Sequence, residues 1–265
     1  MRNKEGKRER GLPSQVKGGR LKICSRRGSQ VRILPPALSE LTLNSTARRG
    51  AKVSGRRLMR KRHLEMLLEQ LEDIPAPNVR IEQYTTPASL AAELIFFALL
   101  NGDIAEKTVF DFGCGNGILG IAAKMLGAKR VVCVDIDDNA LEIARRNAQK
   151  LDVEVEFVHS DVRDFNEKGD TVVMNPPFGA QIANRHADRV FVERALDVAN
   201  VVYSIHNARS DLSAFLPECV SVECYSAVFP LKRRFWFHKK EKKEIMVKIC
   251  RMTRRNREAE QREEA

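Results

Sequence analysis

Asp111-Phe112-Gly113-Cys114-Gly115-Asn116-Gly117 follows a short apolar run and leads into an apolar stretch with helical spacing. Its three alternating glycines permit positive φ and close approach of the backbone to a ligand. A helix opening at this point presents free N–H groups and the positive end of its dipole. Gly115, Gly117 and Gly120 match G-x-G-x-x-G, the fingerprint of a dinucleotide-binding turn. Asp135 comes 20 residues after Gly115, at the end of the next apolar run, where a carboxylate can grip ribose hydroxyls. This stretch therefore predicts a strand–turn–helix unit in an α/β sheet, with a ligand crevice at the carboxyl ends of the strands.

Outward from the loop, short apolar runs alternate with helical patterns. Strands are expected at 108–112, 130–134, 154–159, 171–174, 201–205, 220–228 and 243–250. Helices fit at 118–126, 138–150 and 187–199, with an irregular link near 162–168. Alternation of this kind implies βαβ units and a largely parallel sheet. Between the last two strands there is no helical pattern, so they should pair as an antiparallel hairpin. Asp137 and Asp138 suit the N-cap and first turn of the helix over 138–150. Upstream, Leu64, Leu67, Leu68 and Leu71 recur at helical spacing, predicting a helix over 60–72 that Pro75 and Pro77 end. Thr86-Pro87 reads as an N-cap followed by proline at the first helical position. The helix it starts should run to Leu100, with Asn101-Gly102 as the stop.

Charge is unevenly distributed. The formal net charge of +11 splits into +13 over 1–58, −9 over 59–231, +10 over 232–257 and −3 over the last eight residues. Basic end segments suit a polyanion such as RNA or, alternatively, are simply solvated tails. Residues 1–58 lack periodicity and the apolar content to offset ordering entropy, and are expected to be a disordered basic tail. A native chain starting at Met59 is the corresponding expectation, which an intact mass including 1–58 would refute. The globular domain is expected over 59–252, with a charged tail over 253–265. No apolar run approaches the roughly 18 residues of a membrane span, and the N-terminus lacks the apolar core of a secretory signal. The six cysteines form no CxxC pair and suggest neither a zinc site nor a disulfide framework. Reduced thiols in a cytoplasmic protein without a metal are therefore expected.

The glycine loop alone does not separate NAD from S-adenosylmethionine. Asp111 sits at the tip of the strand, where negative charge suits a cationic ligand better than a pyrophosphate. Asp161 ends the third strand, placed to accept from an adenine amine; helix capping or loop solvation is the alternative for Asp135 and Asp161, but their shared position at carboxyl ends of strands beside the expected crevice favours function. The second chemical signal is Asn175-Pro176-Pro177-Phe178, at the end of the buried run 171–174. Prolines end strands and asparagine favours turns, but two successive prolines also build a rigid wall. The Asn175 side-chain oxygen and the Pro176 carbonyl can accept the two N–H groups of a planar amine, and Phe178 offers a stacking face. An exocyclic amine is a poor nucleophile because its lone pair is delocalised. Two acceptors favour a pyramidal nitrogen, so that catalysis is mainly positioning and electrostatics.

Together the two motifs resemble those of class I amino methyltransferases. More closely, Glu82-Gln83-Tyr84-Thr85-Thr86-Pro87, Val134-Asp135-Ile136-Asp137, Met174-Asn175-Pro176-Pro177-Phe178-Gly179 and Val202-Tyr203-Ser204-Ile205-His206 resemble the methyltransferase-like protein 5 group. The similarity spans about residues 60–251. It implies a Rossmann-like, seven-stranded α/β sheet with an antiparallel last strand and an N-terminal helical extension. It also implies S-adenosylmethionine-dependent methylation of adenosine N6 in small-subunit rRNA. Gln83 and Thr86 would then meet the methionine part of the cofactor. Gly113, Asn116 and Ile118 would line its loop beside Asp111 and Gly115, Asp135 would hold the ribose and Asp161 the adenine. Asn116 occupies a variable loop position. Eukaryotic members pair an edge strand with a small zinc-binding activator; the strand over 154–159 would be that edge, although Glu154 and Glu156 equally read as protective edge charges.

On the substrate side, Gln181, Asn184, Arg185, His186 and Arg189 follow the Asn-Pro-Pro-Phe motif. His186 reads more readily as a helix cap than as a catalyst, and His206 as a loop hydrogen-bonding residue. Lys232-Arg233-Arg234-Phe235-Trp236-Phe237-His238-Lys239-Lys240 interleaves cations with aromatics, which suits phosphate contact and base stacking. Alternation places Trp236 and His238 opposite the two phenylalanines. Rival readings are guanine N2 or protein glutamine methylation, an NAD-dependent dehydrogenase, and a non-catalytic RNA-binding assembly factor.

Overall fold

A computed structural model describes residues 22–24, 30–33, 52–53, 56–57, 59–75, 83–178, 187–232 and 242–254. Its central sheet contains seven principal strands: β1 (Thr108–Phe112), β2 (Arg130–Asp135), β3 (Glu156–His159), β4 (Gly169–Met174), β5 (Ala199–Asn207), β6 (Val220–Lys232) and β7 (Lys242–Arg254). Their order is β6-β7-β5-β4-β1-β2-β3, and two short strands, Lys22–Cys24 and Gln30–Ile33, extend the sheet beyond β6. Pairing is parallel from β5 through β3 and antiparallel for β7 with both β5 and β6. This is the expected Rossmann-like class I arrangement. Among the described residues no helix is long and apolar enough to cross a membrane.

Covered on both faces, β1 is buried continuously from Val109 to Phe112 rather than alternately, Asp111 included. One side packs with α1 (Lys61–Leu68), α2 (Ala88–Leu100), α3 (Ile118–Met125) and α4 (Asp138–Lys150); this layer contains Val109, Val131, Val173 and Ile249. The other side, with Phe110, Phe112, Val132 and Met174, packs against α5 (Ala187–Val198). Asp137 is the N-cap of α4 and accepts from the Asn139 N–H, with Asp138 in the first turn. The chain builds the sheet outward from β1 through β2 to β3 and then returns to the other side of β1 with β4. That reversal of strand order opens the crevice at the carboxyl ends of β1 and β4.

Three local expectations change. α1 ends at Leu68 rather than at 72, because the backbone of Glu72 is taken up by side-chain amides of other elements. Thr86 does not cap α2: Pro87 holds that position without a side-chain cap, and the Thr86 hydroxyl instead meets Asn175. Cys224 and Cys250 form a disulfide, which overturns the reading of reduced thiols for this pair. Their 26-residue separation carries no pattern, but the β6–β7 register sets them directly opposite each other.

The β6–β7 hairpin is longer than its apolar pattern suggested. β7 pairs with β5 only from Val247, opposite Asn207, to Thr253. Its residues 242–246, and their partners 228–232 on β6, therefore run past the carboxyl end of β5. Val228 and Met246 face outward there and are exposed, whereas Phe229 stays buried in the core with Ile245 packed against it.

Candidate active site

The glycine loop takes the conformation its composition demands. Gly113, Gly115 and Gly117 have φ of 64°, 56° and 82°, and Gly117 is the N-cap of α3. Gly120 serves close packing: a Cβ there would lie 2.4 Å from the Cys133 sulfur. Asp135 braces the loop, accepting from the Gly115 N–H at 2.8 Å and from the Asp137 N–H at 3.0 Å.

Above the loop lies a cavity of about 480 Å³. Gln83, Thr86, Asp111, Gly113, Gly115, Asn116, Ile118, Asp135 and Asp161 all line it, as do Asn175 and Pro177. Residues expected at the cofactor site, from four stretches of chain, thus meet those expected at the catalytic motif around one volume. Pro176 and Phe178 are adjacent but do not line it; the Phe178 ring packs edge-on against Phe229, with centroids 6.2 Å apart. Asn116 makes a contact the loop pattern did not reveal, donating from its side chain to the Glu72 carbonyl at 2.9 Å. The Gln83 amide donates to Asp137 at 2.8 Å.

The site is acidic. Asp111 is 1 % exposed, and burial pushes its carboxyl up to about 7, against the opposing Gly120 N–H. Oδ2 accepts from that N–H at 2.8 Å, whereas Oδ1 is buried without a hydrogen-bond partner among the described residues. A buried carboxylate oxygen of this kind invites a cation. Burial also raises Asp135. Asp161 is held below the usual carboxylate range, chiefly by the Arg163 guanidinium, and caps the 3-10 turn Val162–Asp164. Functional and capping readings of Asp161 therefore coexist in one geometry. Three carboxylates around one cavity fit the ammonium and sulfonium charges of S-adenosylmethionine, with hydroxyl-accepting oxygens at Asp135.

At the other side of the cavity, Asn175 is oriented by Thr86: its Nδ2 lies 3.0 Å from the Thr86 hydroxyl. Its Oδ1 is buried and has no partner. Among the described residues no donor meets this acceptor, which is held in place by the Thr86 contact. His206 is not on the cavity wall; it is 1 % exposed, with Nε2 2.6 Å from the Ser204 hydroxyl and Nδ1 3.8 Å from Asp188. Burial pushes its pKa down.

Several lining residues escaped sequence reasoning: Ile74, Tyr84, Ile136, Arg163, Val190 and Phe191. Ile136 carried a usable signal, a large apolar residue just after the strand-ending Asp135, and it is 56 % exposed. Ile74 and Phe191 carried none, since only folding brings their segments to the loop. Of the residues expected to contact RNA, Arg189 is exposed on α5, paired with Glu193 at 2.8 Å and 5.7 Å from the Phe215 ring centroid. Lys232 ends β6. Arg185, Arg233, Arg234, Trp236, His238, Lys239 and Lys240, with Gln181, Asn184 and His186, lie outside the described residues.

The methyltransferase small domain family matches residues 90–200. An uncharacterized protein of Methanocaldococcus jannaschii is 39 % identical over 213 residues, covering 74 % of this chain and 94 % of its own. The rRNA N(6)-adenosine-methyltransferase METTL5 of Danio rerio is 33 % identical, covering 74 % of this chain and 99 % of its own. Among solved structures, a Pyrococcus horikoshii protein described provisionally as an RNA methyltransferase aligns with a TM-score of 0.68 at 35 % identity. That alignment covers 75 % of this chain and all of the other.

Proposed function

Since the chain belongs to the METTL5 family of rRNA N(6)-adenosine-methyltransferases, we propose that it methylates the N6 amine of an adenosine in small-subunit rRNA. S-adenosylmethionine is the cofactor, and when bound it supplies an electrophilic methyl group on a sulfonium. The observation that carries the reading at this site is the buried, unpartnered Asn175 Oδ1, with Nδ2 fixed by Thr86.

The roles of the chain's own residues follow. Asp111 would offer its free oxygen to the cofactor's ammonium, Asp135 would accept from the ribose hydroxyls and Asp161 from the adenine amine. Gln83, Thr86, Gly113, Gly115, Asn116 and Ile118 would complete the wall. Asn175 Oδ1 and the Pro176 carbonyl would each accept one N–H of the adenosine amine, which localises its lone pair. The Asn175 amide is preorganised by Thr86 and needs no reorientation as charge develops. No strong base is required before attack, and the proton is released to water afterwards.

RNA would be gripped by the overhanging end of the hairpin and the segment it carries. Lys232, Arg233, Arg234, Lys239 and Lys240 would meet phosphates, while Trp236 and His238 would meet bases. Arg185 and Arg189 would contact RNA nearer the pocket. At the opposite end of the sheet, β3 is the outermost described strand. A small zinc-binding activator would pair there, and the Arg130–Glu156 ion pair, at 2.6 Å, would border that contact.

Asn175→Ala tests the assignment. It should reduce methyl transfer to rRNA by at least 100-fold, the scale seen when one preorganised polar group is removed. Binding of S-adenosylhomocysteine, measured by calorimetry, should change little. Retained turnover would remove the mechanism, and label appearing only in protein would remove the substrate.

A further inference from the structure

We propose that Asn147, which lies outside the cavity, is a positioning residue for the cofactor: it fastens residues 72–75 to the glycine loop. The proposal rests on the methyltransferase reading above. Asn147 is completely buried on the face of α4 that otherwise presents Ala140, Leu141, Ile143, Ala144 and Ala148. An amide among such neighbours is costly unless its donors and acceptor are all used. Here they are used on two other stretches of chain. The Glu72 N–H donates to Asn147 Oδ1 at 2.7 Å, and Asn147 Nδ2 donates to the Glu72 carbonyl at 3.0 Å. The same Nδ2 donates at 3.0 Å to the carbonyl of Asn116, in the glycine loop. Asn116 closes the arrangement by donating from its own side chain to that Glu72 carbonyl. One buried amide therefore sets α4, residue 72 and the loop in a single register.

The fastening reaches the cavity two residues further on. Ile74 is buried with Ala140 and Ile143 and lines the cavity. Its Cδ1 lies 3.8 Å from where a Cβ on Gly115 would stand, so it covers the loop at its most open point. Asp73 accepts from the Thr85 hydroxyl, which ties in the segment bearing Gln83 and Thr86. Apolar contact alone would hold α4 to the sheet; the amide adds a fixed register, which a loop gripping a small ligand requires. Beside the Ile74 packing, further ties between α4 and residues 70–75 include an exposed Arg146–Glu72 ion pair at 3.1 Å and a Lys150 contact to the Gln70 carbonyl. Exposed pairs contribute little to stability.

Asn147→Ala and Asn147→Ser test this in the full-length protein. The serine keeps a single hydroxyl in place of the amide and cannot make all three of its bonds, so it serves if the alanine variant does not fold. The expected result is a Kd for S-adenosylhomocysteine raised at least 10-fold. The KM for S-adenosylmethionine should rise in step, with the KM for rRNA unchanged. In the ligand-free variant, amide exchange should accelerate at 70–75 and 113–118 but not in β1, β4 or β5. Arg146→Ala should leave the Kd within about twofold. An unchanged Kd, or acceleration of exchange throughout the sheet, would overturn the proposal. Because the Kd is read without rRNA, absence of rRNA methylation by the wild type would count against the function and not against this role.

Discussion

At the scale of single residues, Asp111 carries the clearest electrostatic consequence. Its carboxyl, ordinarily near 3.8, is raised to about 7 by burial. The folded, ligand-free protein therefore holds a proton that the unfolded chain releases between these values. Stability associated with that proton is complete below about pH 4 and is lost as the pH rises through about 7. On the proposed reading binding follows the opposite course, since the ionised carboxylate would be the partner of the cofactor's ammonium. Scanning calorimetry of the ligand-free protein should show the wild type losing Tm relative to Asp111→Asn between about pH 4 and pH 7. Over the same range, the wild type should gain affinity for S-adenosylhomocysteine and Asp111→Asn should not. Parallel pH profiles for the two proteins would disprove the assignment. Asp111 was readable from sequence as a charge at the tip of a strand. That one oxygen is left unpaired followed only from how α3 packs.

Among the elements, α3 shows how closely the loop is built. Gly120 packs where any Cβ would collide with the Cys133 sulfur, and would also lie 3.2 Å from Val131 and 3.3 Å from Asp111. Gly120→Ala should cost about 1–3 kcal/mol in urea unfolding, the usual penalty for overpacking. Gly102→Ala has open space around it but a φ of 77°, and should cost only about 1 kcal/mol. Equal costs would mean that the α3–β2 contact is looser than described. Elements whose signals are local were legible: α4 spans the expected 138–150, with its Asp137 cap in place. Thr86 shows where this fails. Its hydroxyl had two available partners, a helix end or Asn175, and the second, 89 residues away in sequence, wins.

For the whole molecule, charge and topology act together. An acidic body carries the cofactor site, and the basic segment 232–243 is attached to the overhanging end of the β6–β7 hairpin. Parallel β4 and β5 end on the same side as that overhang, which is also where Asn175 lies. Replacing Lys232, Arg233, Arg234, Lys239 and Lys240 with alanine should weaken rRNA binding and flatten its salt dependence. The slope of log K against log salt should fall by roughly 0.7 for each phosphate of single-stranded RNA that the variant no longer neutralises. S-adenosylhomocysteine binding should not change. An unaltered slope would place the RNA-binding surface elsewhere.

The sequence by itself determined the α/β class, the glycine loop, the antiparallel last strands and the place of Asn175 to Phe178 at the end of a buried strand. These rest on short-range signals: apolar runs of strand length, glycines where φ is positive, and a rigid dipeptide at a strand end. Among the described residues, tertiary structure alone decided that Asp111 Oδ1 and Asn175 Oδ1, both on residues lining the cavity, remain unpaired. It also decided the Cys224–Cys250 pairing and the joining of Glu72 to Asn116 through Asn147. Each of these depends on atoms brought together from distant parts of the chain, and hydrogen-bond satisfaction is a property of the packed interior that no local pattern records.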